Sequence, residues 1–431
     1  MNTEPRIHLK SRLLPALVII LIALQIFAPY DGWLILLVGL GGAWLSGYLW
    51  VRILAKNLSI HREMRYGWAQ VGDRLEERFT LTNHNWVPAL WVEVIDHTSM
   101  PDYQVSRATG VGGSSTNRWI TQGVCNQRGL FTLGPTSLRS GDPLGIFSLE
   151  INDPKSTNLM ITPPIVPLPS IEVAPGGRSG EGRPKPDAPE QTVSTSGVRQ
   201  YVAGDSLRWI HWRTTARRNE LYVRLFEGTP AGDWWIVLDM DQSVQVGEGQ
   251  NATQEHGIIL AASLADRGLR TQRSVGLVAN SQELVWLPPK QSDAQRWEIL
   301  RALALAEPGH RSLSDLLTGI KPSLGKDASL ILITPDMSGK WIEALLPLYW
   351  VGVVPTVLLL DPISFGGTDR VRDILPSLID LGIAHYVIPR EFLDRPEARP
   401  GQAGHWEWRV SPSGRAIPIS KPQDMSWREI A

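Results

Sequence analysis

Two uncharged apolar runs dominate the start of the chain, Leu13 to Ala28 and Trp33 to Val51. Each is near the roughly 17–25 residues that cross a bilayer as a helix. Pro29-Tyr30-Asp31-Gly32 between them is a tight turn, so the pattern predicts a transmembrane helical hairpin over residues 1–55. Arg6, Lys10 and Arg12 precede the first run, Arg52, Lys56, Arg62 and Arg65 follow the second, and the connection carries only Asp31. That bias puts both ends on the cytoplasmic side. Tyr30, Trp33, Tyr48 and Trp50 stand at the boundaries, where amphipathic rings anchor. A cleavable secretory signal opens in the same way, but no small-x-small site follows Ala28 and a second run does. Gly39, Ala43 and Gly47 recur every four residues and predict close helix packing within the hairpin. Neither run holds an ionisable residue, so the hairpin reads as an anchor rather than an ion path.

The period then shortens. Over residues 56–173, short alternating runs such as Glu77 to Thr82, Leu90 to Ile95 and Leu130 to Leu133 are separated by Gly, Pro, Asn and Asp. This predicts an antiparallel β sandwich-like domain. Asn83-His84-Asn85 reads as a hairpin tip and Gly110 to Ser115 as a flexible loop; Gly141-Asp142-Pro143-Leu144-Gly145 reads as a turn that orients strands. Residues 174–198 are rich in Pro, Gly, Ser and charge without an apolar period, the composition of a linker or long loop.

Residues 199–232 hold Arg199, Arg208, Arg213, Arg217, Arg218 and Arg224 against Asp205, Glu220 and Glu227. Surplus guanidiniums are donors for carboxylate or phosphate. The stretch is either a partner-docking surface or a structural knot in which Arg pairs with Asp205 and Glu227 and stacks on Trp.

From 233 to 392 near-continuous apolar strands alternate with amphipathic helices. Strands are predicted at Trp234–Leu238, Ser274–Val278, Ser329–Ile333, Thr356–Leu360 and His385–Ile388, and helices at Gln254–Arg267, Ala294–Ala306, Lys340–Leu348 and Arg370–Leu381. That is an open, mostly parallel sheet covered on both faces. Ligands in such folds sit beyond the strand C-termini. The chain places Asp239, Asp241 and Ser243 after the first strand and Asp336 after the third, oxygen donors of the kind Mg²⁺ uses. Residues 393–431 form a C-terminal extension, whose Trp406, Trp408 and Trp427 read as covers for hydrophobic edges.

Composition narrows the function classes. Lys+Arg 42 against Asp+Glu 43 over 431 residues supplies no basic field for nucleic acid. One cysteine, Cys125, excludes an intramolecular disulfide and a multi-thiolate metal site. The nine His show no His-Glu-x-x-His pattern, which argues against a zinc hydrolase. Gly319 to Lys326 imitates a phosphate loop with the wrong glycine spacing and no following Ser or Thr.

Arg199, Tyr201, Gly204-Asp205, Arg208, Ile210, Trp212, Ala216-Arg217, Leu221, Val223-Arg224 and Glu227 resemble the signature of the bacterial domain-of-unknown-function family number 58. So do Arg128-Gly129, Gly134-Pro135 and Asp142-Pro143-Leu144-Gly145-Ile146-Phe147. His211 departs from it, since relatives commonly carry Asp there. The resemblance implies two N-terminal spans, a β region and an α/β domain like the von Willebrand factor A domain. It also implies a partner, a AAA+ ATPase of the MoxR type, alongside membrane proteins of the transglutaminase-like class. The A-domain metal motif, Asp-x-Ser-x-Ser with a separate Thr and a later Asp, is matched by Asp239, Ser243 and Asp336; Asp241 replaces the first Ser, and no separate Thr is evident.

The expectation is therefore an inner-membrane interaction protein in contact with lipid, not an enzyme and not a binder of nucleic acid, with Mg²⁺ as the one cofactor its carboxylates would suit. A Mg²⁺-dependent hydrolase on the same carboxylates and a purely structural envelope component are the alternatives.

Overall fold

The computed structural model describes residues 5–64, 67–168, 170–174, 195–201, 210–218, 220–226, 233–325, 328–393, 407–410, 416–420 and 428–429. Two compact units divide the chain: residues 1–164 with 395–431, and residues 165–394.

The first unit begins with strand β1 (Arg6–Leu9), then helices α1 (Leu13–Phe27) and α2 (Asp31–Asn57). Strands β2 (Leu58–Met64), β3 (Trp68–Gln70), β4 (Arg74–Asn83), β5 (Ala89–Asp96) and β6 (Arg107–Val111) follow. Then come β7 (Ser115–Val124), β8 (Gly129–Leu133), β9 (Thr136–Gly141), β10 (Phe147–Asp153) and β11 (Thr157–Thr162). One sheet has the order β1-β10-β9-β5-β6, another contains β2-β4-β7, and a third is β3-β11-β8. All pair antiparallel except β3 with β11. Alternation drives this: β4 buries every second residue, and Phe79, Leu81, Val92, Val94, Leu138 and Leu149 from two sheets meet in one core.

Several expectations change here. Asn83-His84-Asn85 is not a hairpin tip, because β4 pairs with β2 and β7 while β5 belongs to another sheet; the segment crosses between sheets. The Gly110 to Ser115 loop is tied down, with Asn83 Nδ2 donating to the Gly112 carbonyl (3.1 Å) and Ser114 N to that of Asn85 (2.6 Å). Of the two apolar helices, α2 with 27 residues is long and apolar enough to cross a membrane, while α1 has 15. A β-carbon on Gly39 would touch nothing within 4 Å, and one on Gly47 would meet Asp142 at 3.4 Å and Ile146 at 3.6 Å. The small-residue face thus packs at Gly47 on the β unit rather than along the hairpin.

In the second unit, β12 (Thr195–Gln200) pairs antiparallel with β13 (Tyr222–Phe226), and α3 (Trp212–Arg218) lies between them in sequence. Next come β14 (Trp234–Leu238), α4 (Thr253–Arg270), β15 (Val275–Ala279), β16 (Val285–Lys290), α5 (Asp293–Leu305) and α6 (Leu313–Ile320). The unit continues with β17 (Ser329–Thr334), α7 (Lys340–Val351), β18 (Val354–Leu360), α8 (Leu375–Asp380) and β19 (Ala384–Ile388). The sheet order is β16-β15-β14-β17-β18-β19, parallel except for β16. Trp234, Ile236 and Leu238 of β14 enter the core under α4 and α5, while Trp235 and Val237 enter the one under α6, α7 and α8. Helices on both faces explain why the central strands are apolar throughout.

The boundary drawn at residue 173 moves. Val166, Leu168 and Ile171 join the core of the second unit, and Val166 N donates to Ser263 Oγ (2.9 Å). The extension carries β20 (Glu407–Val410), β21 (Ala416–Ser420) and β22 (Arg428–Glu429). It returns to the first unit, where β22 pairs with β2.

Candidate functional site

Beyond the C-terminal ends of β14 and β17 lies a cleft of about 470 Å³. Central β14 has β15 on one side and β17 on the other, so the chain leaves it toward opposite edges; this is where open α/β sheets take ligands. Asp239, Asp241, Ser243 and Asp336, expected from sequence, all line the cleft. Ser312, Ser314, Ser338, Lys340, Arg370 and Asp373 line it as well. The α6 cap brings the serines: Ser312 Oγ accepts from Asp315 N (3.2 Å).

Asp239 is only 2% exposed, and both its oxygens are engaged. Oδ2 accepts from Thr334 Oγ1 (2.7 Å), and Oδ1 from Asn280 Nδ2 (3.1 Å) and Asp241 N (3.1 Å). Asn280 in turn accepts from Met240 N (2.6 Å) and donates to the Arg311 carbonyl (2.6 Å). The carboxylate therefore fastens together the ends of β14, β15 and β17. Burial pushes its pKa up to about 6 against the opposing bonds from Thr334, Asn280 and Asp241 N; the Asp336 charge adds to the rise. Asp241 Oδ1 accepts from Ser243 N (3.0 Å) and Oγ (2.9 Å), and Asp336 Oδ1 from Ser338 N (2.7 Å), so each closes its own turn.

This arrangement does not fit Mg²⁺. A divalent cation needs several hard oxygens converging on one point, and Asp239 already accepts three hydrogen bonds from protein donors. Among the described residues no three His, Cys, Asp or Glu side chains gather where they could hold a metal. The lining contains neither His nor Cys, and the serine–carboxylate contacts of Ser243 with Asp241 and of Ser312 with Asp315 are turn and cap bonds.

Sequence reading placed Thr334, in Thr334-Pro335-Asp336, at the end of the third strand without a role, and missed Asn280 and Ser312; the signal for Asn280 is a polar residue closing an apolar strand.

Of the Arg-rich signature, Gly204, Asp205, Arg208 and Glu227 lie outside the described residues, so their pairing is not part of this picture. Arg199 falls in β12 and Arg224 in β13, paired through their neighbours Val223 and Val198. Tyr201 N donates to the Leu221 carbonyl (2.8 Å), and His211 accepts at Nδ1 from Thr214 N (3.2 Å) where an Asp was expected. Helix α3 has no buried residue: Trp212 is 68% exposed, and Arg213, Arg217 and Arg218 are exposed. Arg218 donates to Tyr222 Oη (3.3 Å) and lies over its ring.

The family model described as a protein of unknown function, DUF58, matches residues 197–347. That stretch runs from β12 to α7 and includes α3, Asp239, Asn280, Ser312 and Asp336. The uncharacterized protein YeaD of Bacillus subtilis (strain 168) is 26% identical over 156 residues, 36% of this chain and 36% of that protein, so the match spans well under half of the curated relative. Among solved structures, an aerotolerance-related membrane protein from Bacteroides fragilis NCTC 9343 with multiple mutations to serines aligns over 44% of this chain and 81% of that one, at 16% identity and a TM-score of 0.27. Proximal thread matrix protein 1 from the mussel byssus aligns over 35% of this chain and 46% of that one, at 15% identity and a TM-score of 0.25.

Proposed function

We propose that this chain is a membrane-anchored interaction protein. Its hairpin holds it in the inner membrane with both termini cytoplasmic, and its second unit, an α/β domain of the A-domain kind, docks a AAA+ ATPase of the MoxR type. The observation that carries the anchor is the hairpin surface. Ile19, Ile20, Ile26, Phe27, Ile35 and Val38 are each more than half exposed, far more contiguous apolar surface than water tolerates. Both arms end in the same β unit, since β1 pairs with β10 and α2 runs directly into β2; the two ends of an inserted hairpin then share one side of the membrane.

Docking falls to α3. A surface-bound helix that shows Trp212 beside Arg213 and Arg217 has the composition of an interface hot spot and suits an acidic partner surface. Because Asp239 is a clasp rather than a ligand, docking is independent of metal. Photo-crosslinking in native membranes tests this. Wild type captures the ATPase with and without EDTA, while Trp212→Ala combined with Arg217→Glu reduces capture at least tenfold without moving the melting temperature. Capture unchanged in that double variant refutes the proposed surface.

A further inference from the structure

The part of the hairpin that stands clear of the β unit is shorter than the hydrocarbon layer of a bilayer. α1 has 15 residues, which at a rise of roughly 1.5 Å per residue is about 22 Å. On the other arm, Trp44 and Tyr48 lie 6.4 and 5.7 Å, ring to ring, from Phe147, and Gly47 sits against Asp142. From about Trp44 onward one face of α2 lies against the β unit while Leu45 and Leu49 on the other stay exposed, so the length of α2 clear of that unit, from Asp31 to about Trp44, is again near 20 Å. The hydrocarbon layer is about 30 Å thick. Asp31 at the hairpin tip carries a charge that belongs at the far headgroups.

Around the foot of the hairpin the β unit exposes three large apolar side chains. Leu9 of β1 pairs with Phe147 of β10 and is 40% exposed. Leu144, at the apex of the turn from Gly141 to Phe147, is 62% exposed. Trp91 is 43% exposed and lies over Gly141, where a β-carbon would be 2.9 Å from its ring. The turn is bound to the hairpin, with Lys10 N donating to the Ile146 carbonyl (2.8 Å). It is also rigid: Asp142 accepts from Leu144 N (2.8 Å) and Phe147 N (2.5 Å), so its charge is met by backbone donors.

On the anchoring reading above, we infer that Leu9, Trp91 and Leu144 form a lipid-contacting collar that sinks into the near leaflet with the foot of the hairpin. The occupant of this surface is the bilayer. The collar continues the exposed apolar face of α1 and α2, and the missing length of about 8 Å is the depth of one side chain with its strand end. Lys10 and Arg12 border the collar, with stems long enough to reach the phosphates from just below them. The family-like turn Asp142-Pro143-Leu144-Gly145-Ile146-Phe147 is then a membrane seat, not merely a strand connector.

Nitroxide labels read this directly. Cys125 is fully buried, so single labels go into the full chain as Leu9→Cys, Leu144→Cys, Ile20→Cys on the hairpin and Asn152→Cys at the far end of β10. The chain is reconstituted in vesicles of equal parts phosphatidylcholine and phosphatidylglycerol, and relaxation by oxygen is compared with relaxation by a water-soluble nickel chelate. Labels at 9 and 144 are expected to favour oxygen several-fold, as the label at 20 does, while the label at 152 favours nickel. Labels at 9 and 144 that behave like 152, with 20 still favouring oxygen, overturn the collar and leave the anchor standing. A label at 20 that favours nickel overturns the anchor itself.

Discussion

Asp239 shows how one side chain can look like a ligand and serve as a fastener. Asp239→Ala leaves the Thr334 hydroxyl, the Asn280 amide and Asp241 N without their acceptor, which costs about 2–4 kcal/mol of unfolding free energy in urea melts. Asp239→Asn keeps an oxygen for two of these donors and costs roughly 1 kcal/mol or less. The folded state holds the Asp239 pKa at about 6, above the ordinary aspartate value of 3.8. Native protein therefore binds more protons than unfolded protein between those values, and the Asp239 contribution makes stability fall as pH rises from about 4 to 6. Burial raises Asp73 to about 6 as well, with the same sign, so the test is the difference between wild type and Asp239→Asn. The cost of Asp239→Asn applies near pH 4; from there to pH 7 wild type is expected to lose stability relative to the variant, and a difference that does not change with pH would refute the assignment. A second buried charge group works the other way. Arg62 is held by Glu77 (2.7 Å) and Asp96 (2.7 Å), all nearly without exposure, and Tyr103 Oη donates to Glu77 (2.6 Å). Arg62→Met strands two carboxylates in the core and is expected to destabilise the first unit by roughly 3–5 kcal/mol, read as a shift in its urea midpoint.

At the scale of elements, hydrophobic period was a sufficient guide wherever burial was uniform. The strands β14, β17 and β18 and the helices α4 and α5 fall within a few residues of their predicted ends, because strands covered on both faces read as unbroken apolar runs. β16 escaped notice since Pro288 and Pro289 sit in it; an antiparallel edge strand tolerates proline where a central one does not. The carboxylates of the cleft were legible, but their role was not, because it depends on Asn280 and Thr334 arriving from other strands. The clearest element-level prediction concerns α2. A β-carbon at Gly47 makes ordinary contact with Asp142 and Ile146, so Gly47→Ala is tolerated. Gly47→Leu drives a branched side chain into the turn at a cost of about 1–3 kcal/mol. Proteolysis of the Gly141 to Phe147 turn is expected to accelerate in Gly47→Leu and to stay at the wild-type rate in Gly47→Ala.

Over the whole molecule, the division between units does not fall where composition changes. Residues 165–174 follow the last strand of the β unit, yet they are structurally part of the α/β unit. Arg267 Nη1 donates to the carbonyls of Leu168 (2.8 Å) and Ile171 (2.7 Å). Ala174 N donates to Thr356 Oγ1 (3.0 Å), while its carbonyl accepts from Ser329 Oγ (2.9 Å). No periodicity announces such a strap, since it is neither helix nor strand and its partners are some 100 to 180 residues away in sequence. Burial of Val166, Leu168 and Ile171 at about 1.5–3 kcal/mol each contributes several kcal/mol to this unit alone. A fragment of residues 165–394 is therefore expected to unfold cooperatively. One that begins at residue 175 has lost the strap, opens the apolar groove beside α4, and melts at least 10 °C lower or binds hydrophobic dye before it melts. Equal melting temperatures for the two fragments would remove residues 165–174 from the α/β unit and restore the boundary at residue 173 that composition suggests.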